Sequence, residues 1–250
     1  RFANNVTIDD ITANKIVNCA VTVTSELTGT NCGCVVGADS ANTTTIGAPE
    51  QVTTIGGFSI INTDVNCATI SGNSNGGFCG TNTMHVMVQG CNFKGVSFTG
   101  NGIGGVLSSR TNVVQYVYPF AIINTYVGLT GTVTGNNCGG IVGNYSVSDA
   151  ADVAPTSTTY IIDHCSFGTN LPITGNTFGG MIGIFSGLGD AYLLSITDCI
   201  VCATMNGANS GGIISTLNWA AIGNTGVTTR DCYAITNVPV FAISNPFDLN

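Results

Sequence analysis

The chain has 250 residues, of which only 7% are charged, against roughly 25% in ordinary globular domains. Its 13 acidic and five basic residues give a net charge of −8 and leave no basic patch for nucleic acid. The polar surface must therefore come from hydroxyls and amides, because the chain contains 34 Thr, 27 Asn and 17 Ser. Glu and Lys, which cover most helix surfaces, occur only as Glu26, Glu50, Lys15 and Lys94. Abundant Val, Ile, Thr and Phe favour an all-β fold.

The hydrophobic fraction of 44% argues against disorder. No apolar run approaches the ~18 residues of a membrane helix, so no membrane span is expected. No signal peptide is visible, and the chain begins at Arg1 rather than at methionine. This start indicates processing or a fragment of a longer chain.

An internal repeat runs along the chain. The common pattern is an apolar stretch ending in Asn or Asp and then Cys, followed by a Gly-Asn turn and a Gly-Gly-apolar-apolar segment. Single copies depart from it, as at Gly90 and His164, which precede the cysteine in the third and fifth copies. The Cys positions, in chain order, are Cys19, Cys67, Cys91, Thr125, Cys165, Cys199 and Cys232. The glycine pairs that follow them are Gly33-Cys34, Gly76-Gly77, Gly104-Gly105, Gly139-Gly140, Gly179-Gly180 and Gly211-Gly212. The seventh copy lacks the pair.

The spacing of the copies is fixed on one arc and variable on the other. From the Cys position to the glycine pair takes 9 to 14 residues, whereas from the pair to the next Cys position takes 14 to 33. The shortest period, 24 residues from Cys67 to Cys91, suits three short strands and is below the ~40 residues of a propeller blade. The sequence therefore predicts one parallel β-solenoid (β-helix) domain of six to seven three-stranded coils.

Within residues 1–250 we expect an N-terminal edge strand over 1–15, repeats over 16–235 and a C-terminal strand or tail over 236–250. The apolar pairs after each Gly-Gly should stack in register in parallel strands. The Asn or Asp before each Cys is interpreted as a corner residue in a ladder of amides. The insertions are expected to project from one side; they span 38–56, 106–120, 144–159, 184–194 and 216–228.

The Gly-Gly-apolar-apolar-Gly core, as in Gly139-Gly140-Ile141-Val142-Gly143, resembles the glycine-rich GLUG repeat. The copies are also similar to "Asn-Cys-Tyr … Gly-Gly-Ile-Val-Gly" repeats in surface proteins of giant viruses, protists and bacteria. The resemblance covers about residues 16–235 and implies a role in surface or particle structure. The chain departs from the pattern at Cys34 and Thr125, and Tyr follows the cysteine only at Tyr233.

The six cysteines at one repeat phase predict a structural ladder of buried thiols, which we favour over disulfides because Thr125 replaces one of them. The ladder consists of Cys19, Cys67, Cys91, Cys165, Cys199 and Cys232. A zinc site seeded by Cys32 and Cys34 or by Cys199 and Cys202 is disfavoured, because no second paired motif follows.

No catalytic, cofactor-binding or metal-binding residues are predicted, and no cofactor is expected. Asp163, Asp198 and Asp231 share one repeat phase and could form a carboxylate row beside Arg230, but they are interpreted as substitutes for corner amides. His164 should point away from Cys165, because neighbours in a strand face opposite sides. His85 stands alone in a short insertion.

Sequons at Asn5, Asn42 and Asn144 permit N-glycosylation, and we place Asn42 and Asn144 in insertions. The leading functional interpretation is a non-enzymatic structural component of an extracellular or virion-surface assembly. Its partners would be other copies of itself, other shell or fibre proteins, or glycans. The alternatives are a glycan-binding adhesin, a polysaccharide-active β-helix, and an ice-binding face built on Thr22-x-Thr24 and Thr132-x-Thr134.

Overall fold

A computed structural model describes residues 15–38, 58–83, 86–109, 120–148, 158–188, 192–220 and 226–237. These residues form 17 β-strands, and none of them is helical. The strands are β1 Lys15–Val17, β2 Ala20–Leu27, β3 Phe58–Ile61, β4 Asp64–Ser71, β5 Val86–Gln89, β6 Asn92–Thr99, β7 Phe120–Ile123, β8 Tyr126–Leu129, β9 Val142–Ser148, β10 Thr158–Asp163, β11 Ser166–Thr169, β12 Ile182–Leu188, β13 Tyr192–Thr197, β14 Ile200–Cys202, β15 Ile214–Ala220, β16 Gly226–Arg230 and β17 Tyr233–Ile235.

The strands form three sheets, and every described strand pair is parallel. The first sheet has the order β1-β3-β5-β7-β10-β13-β16, and the second has the order β17-β14-β11-β8-β6-β4-β2. The third sheet has the order β15-β12-β9. Each strand thus pairs with its equivalents in the repeats before and after it. The all-β, parallel expectation is confirmed.

The predicted register of the apolar pairs is also confirmed. Val142 pairs with Ile182, which pairs with Ile214, in the third sheet. Isolated parallel bridges extend this column through Leu107 and Cys79 to Val36. Buried aliphatic side chains stack in the same way in the first sheet, where the column contains Ile60, Val88, Ile122, Ile162 and Ile196. Such columns fill the space between the sheets.

The glycine pairs are required by close backbone stacking. A Cβ on Gly140 would overlap the carbonyl oxygen of Gly180 in the next repeat and the ring of Phe167. A Cβ on Gly100, in the Gly-Asn turn, would overlap the carbonyl oxygen of Gly72. Any larger residue at these positions would push successive repeats apart.

The predicted insertions are partly wrong. Residues 144–148, 184–188 and 216–220 lie in β9, β12 and β15, which stack in register instead of projecting. These segments contribute to the core. Tyr145 of β9 and Phe185 of β12 pack with Phe120 and Tyr160 of the first sheet in a buried aromatic cluster. The insertion over 38–56 lies almost entirely outside the described residues, as do most of 1–15 and 236–250.

Candidate functional site: the first corner

A corner residue in the left-handed backbone conformation joins each first-sheet strand to the next second-sheet strand. The seven residues of this first corner are Asn18, Asn62, Gly90, Asn124, His164, Asp198 and Asp231, with φ between 48° and 65°. The backbone N–H of each of the first six donates to the carbonyl oxygen just before the next corner, as from His164 to Thr197 at 3.0 Å. The corner therefore breaks the alternation of side chains that a continuous strand would have.

A column of cysteine and threonine follows the corner directly. Its members are Cys19, Thr63, Cys91, Thr125, Cys165, Cys199 and Cys232, and each side chain lies within hydrogen-bond distance of the carbonyl oxygen two residues before it. The Thr125 hydroxyl donates to the Ile123 carbonyl at 3.0 Å, and the Cys199 thiol donates to that of Thr197 at 3.1 Å. Thiol and hydroxyl thus close the same turn.

The predicted cysteine column is present, but it is not buried throughout, because Cys19 is exposed and Cys232 is half-buried. One predicted member is also misplaced. Cys67 does not belong to the column, because Thr63 occupies its position in the second repeat. Cys67 lies four residues further along, opposite Val23 and Gly95 in the second sheet. The shortest repeat is consequently 28 residues, not 24, as the spacing of Asp64 and Asn92 shows.

The eleven cysteines all lie in the described residues and are free thiols. The Cys165 thiol and burial together raise the pKa of Cys199 to about 12. Burial raises the pKa of Cys138 to about 12. These thiols are therefore protonated at neutral pH and act as small hydrophobes with a weak donor. Cys199 is buried and Cys202 is exposed, on opposite faces of the strand, as expected.

Three polar side chains meet at the corners of the fifth and sixth repeats. His164 Nδ1 lies 2.8 Å from Asp163 Oδ2, and His164 Nε2 lies 3.9 Å from Asp198 Oδ2. The Thr197 hydroxyl donates to the other oxygen of Asp163, Oδ1. We call Asp163, His164 and Asp198 the acidic corner; one donor atom from each residue lies within 4.8 Å of the others.

Electrostatics couple the groups of the acidic corner. Burial alone would raise the pKa of Asp163, but hydrogen bonds from Thr197 and His164 and the charges of His164 and Arg230 lower it overall. The hydrogen bond and charge of Asp163 raise the pKa of His164, with a smaller contribution from Asp198. The corner therefore favours a charged pair on a surface where His164 is 58% exposed.

The expected row of Asp163, Asp198 and Asp231 is wrong in one member. Asp163 pairs in register with Thr197, whereas His164 shares the corner position with Asp198 and Asp231. Sequence alignment on the acidic residue missed this because the fifth repeat has Asp-His before its cysteine. The signal was present in the spacing to Cys165, which fixes His164 as the corner residue.

The ladder of amides lies at a different corner from the one expected. Asn73, Asn101, Asn136 and Asn176 of the Gly-Asn turns each accept, through Oδ1, a backbone N–H from the next repeat at 2.9 to 3.1 Å. Each bond satisfies a backbone N–H that lies beyond the end of the second-sheet strands, where hydrogen bonding between strands has ended. The first corner instead carries outward polar side chains.

A small cavity lies on the outer face of the second sheet, between β4 and β6. It is lined by Asp64, Val65, Asn66, Asn92 and Lys94, and its volume is about 40 Å³. Small-molecule sites usually measure roughly 300–1,000 Å³, so this cavity is too small for a sugar. Asn92 donates to Asp64 across it at 2.7 Å.

The outer face of the second sheet changes character along the stack. At β4 and β6 it carries Asp64, Asn66, Asn92 and Lys94, which are exposed. At β14 and β17, the same register positions carry Ile200, Cys202, Tyr233 and Ile235. Tyr233 and Ile235 are 66% and 69% exposed. We call Ile200, Tyr233 and Ile235 the apolar strip.

The remaining predicted residues are placed as follows. Asn144 lies in β9 opposite Ile184 and is half-buried, so its expected position in a projecting insertion is wrong. Asn5, Asn42 and His85 lie outside the described residues. Thr22 stacks on Asn66, so the Thr pair of the ice-binding alternative is not continued in the next repeat.

No protein-family model, curated protein or solved structure matches this chain. The described residues include no helix with the length and hydropathy needed to cross a membrane.

Proposed function

We propose that the chain is a parallel β-solenoid and serves as a non-enzymatic structural component of an extracellular or virion-surface assembly. In this proposal the seven first-corner residues mark successive coils of a single solenoid, and its GLUG-like glycine pairs set the distance between coils. The partner is another copy of the chain or another shell or fibre protein.

The geometry supports a rigid building element. Glycine backbones are stacked so closely that a Cβ at Gly100 would overlap the preceding repeat and a Cβ at Gly140 the next one. Buried side chains such as Ile122 and Ile162, each 0% exposed, fill the interior between the sheets. A stack of this kind resists bending, because each repeat is held to its neighbours by backbone hydrogen bonds and in-register packing.

The single observation that carries the proposal is the apolar strip. Ile200 is 49% exposed, and Tyr233 and Ile235 are more exposed still, whereas the equivalent register positions in β4 and β6 carry Asp64, Asn66, Asn92 and Lys94. Exposed apolar residues grouped at one end of a stack are typical of a contact surface. Because the strip lies on the last two strands of the second sheet, it is placed for contact with another copy.

The proposal is tested by the mass of the purified protein over a wide concentration range, measured by light scattering and mass photometry. We expect oligomers larger than the 25.4 kDa monomer. The variant Tyr233→Ser with Ile235→Thr should shift the distribution toward monomer. The substituted residues match Ser166 and Thr22, which occupy the equivalent register positions.

Asn66→Thr, on the same face at the polar end, is the matched control and should leave the mass unchanged. A stable wild-type monomer at every concentration would overturn the assembly proposal. So would a double variant that assembles as the wild type does.

A further inference from the structure

The acidic corner brings an imidazole and two carboxylates together on the outer edge of two successive repeats. We propose that Asp163, His164 and Asp198 bind a divalent cation, each through one donor atom. One donor atom of each residue lies within 4.8 Å of the donor atoms of the other two.

The backbone places these donors side by side. His164 and Asp198 have nearly the same left-handed conformation, with φ of 51° each, and occupy the same corner position in adjacent repeats. Adjacent parallel strands are ~4.8 Å apart, so side chains that leave equivalent corners in the same direction stay within reach of one ion. Asp163 ends β10 and reaches the imidazole from the preceding position.

The distances suit a shared ion. His164 Nδ1 and Asp163 Oδ2 are 2.8 Å apart. Two donors that each lie ~2.1 Å from one ion at right angles are about 3 Å apart, which is close to this separation. An ion on the Nδ1 lone pair therefore takes the place of the proton when Asp163 Oδ2 moves off the axis of the hydrogen bond. Asp198 Oδ2 lies 3.9 Å from Nε2, on the other edge of the ring. Binding of all three donors to one ion therefore requires a rotation of the imidazole or of the Asp198 side chain.

A neighbouring hydroxyl positions one of the ligands. Thr197 donates to Asp163 Oδ1, which fixes the carboxylate and leaves Oδ2 directed at the imidazole. Outer groups that orient a ligand in this way are a regular part of metal sites. They raise affinity because the site loses less conformational entropy when the ion binds.

The charge around the corner favours a cation. Arg230 is the basic group whose charge acts on Asp163, and its Nε lies 3.5 Å from Asp231 Oδ2. Two carboxylates, those of Asp163 and Asp231, therefore share this one guanidinium. One nitrogen and two carboxylate oxygens suit Mn²⁺ or Zn²⁺, with water in the open positions, better than the all-oxygen sphere of Ca²⁺.

Such an ion would join two successive repeats, because Asp163 and His164 belong to one and Asp198 to the next. Its binding should therefore stabilise the stack at this point. The inference is independent of the assembly proposal, since the acidic corner and the apolar strip share no residues.

The test uses Mn²⁺ alone as the probe, because thiols are poor ligands for Mn²⁺ and the chain carries eleven of them. The protein has two histidines, so ring proton resonances of His164 are assigned by comparison with His164→Asn. At fixed neutral pH, substoichiometric Mn²⁺ should broaden the His164 resonances selectively. One equivalent of Zn²⁺ should compete, and Mn²⁺ should raise the thermal midpoint.

Each ligand has a substitution that the repeats already contain. Asp163→Thr copies Thr197, and both His164→Asn and Asp198→Asn copy Asn124 at the left-handed corner. Each variant should keep the circular dichroism spectrum. Relaxation of solvent water by Mn²⁺ should show that each weakens binding at least about tenfold.

Asn92→Ser, in the distant cavity, is the control and should bind as the wild type does. Broadening of His164 that is unchanged in Asp163→Thr and Asp198→Asn would overturn the proposal. So would Mn²⁺ binding by His164→Asn at wild-type affinity, or a wild-type protein that binds no Mn²⁺ at millimolar concentration.

Discussion

The backbone N–H of Thr63 donates a hydrogen bond to the Cys91 Sγ of the next repeat, over 3.4 Å. The same bond joins the Cys165 N–H to the Cys199 Sγ, also over 3.4 Å. A hydroxyl residue and a thiol residue therefore occupy equivalent places in one network. The column after the first corner requires a small side chain with a donor, and does not require the chemistry of sulfur.

This equivalence predicts the effect of substitutions at Thr125. Thr125→Cys should leave the free energy of unfolding within about 0.5 kcal/mol of the wild type. Thr125→Val keeps the shape but removes the donor to the Ile123 carbonyl, and should destabilise by about 1 kcal/mol. Urea unfolding measures both, and a valine variant as stable as the cysteine variant would contradict the role of the hydrogen bond.

The glycine stacking predicts a steric effect at Gly140. Gly140→Ala places a Cβ against the Gly180 carbonyl and the Phe167 ring, so it should destabilise by about 3 kcal/mol or prevent folding. Gly168→Ala is the matched control, because its nearest neighbour, the Cys202 carbonyl oxygen, lies 3.8 Å from the new Cβ. Equal thermal midpoints for the two variants would contradict the close stacking.

Burial and pKa predict which thiols react. Cys19 and Cys202 are exposed and should be alkylated rapidly in the native protein at pH 8. Cys138 and Cys199 are buried, and their pKa is raised to about 12, so they should react only after unfolding. Peptide mass spectrometry after timed alkylation measures this order. If Cys199 were modified as fast as Cys202, the reagent would have access to the cysteine column in the native protein, which would contradict the burial of Cys199.

The acidic corner predicts the titration of His164 in metal-free protein. Because Asp163 raises the pKa of His164, NMR should give a value above the ordinary ~6.5. A raised pKa means that the contact stabilises the fold fully below pH ~6.5 and that this contribution is lost as the pH rises through the folded value. Asp163→Thr should bring the pKa back toward 6.5. An unchanged pKa in that variant would place the cause elsewhere.

Much of the fold could be predicted from the sequence, because the glycine pairs and apolar pairs recur with little variation. The phase of single copies was harder to fix. Cys67 has the residue type of the column cysteines but not their place in the fold. Thr63, which occupies the column position, differs from those cysteines in residue type but makes the same hydrogen bond to the carbonyl two residues before it. Only the register of β4 against β6 separates the two.

The acidic corner could not be predicted, because it depends on a residue that adopts the left-handed backbone conformation at the end of a strand. Strand parity places Asp163 and His164 on opposite faces, whereas the left-handed conformation of His164 turns both outward. The aromatic cluster was missed for a related reason. Tyr145 and Phe185 fall in segments of variable length, and only their pairing in β9 and β12 shows that these segments stack.

We expect the repeats to form one continuous in-register stack in solution. Distances between spin labels at equivalent outer positions of the second sheet, in a Cys19→Thr, Cys202→Ser background, measure this arrangement. One label replaces Ala20, and the other replaces Tyr126, Ile200 or Tyr233, which are three, five and six register steps away. The mean distance should increase by ~4.8 Å per step, to about 29 Å for the last pair. Distances that do not increase with the number of steps, or that shorten between Ile200 and Tyr233, would contradict the stack.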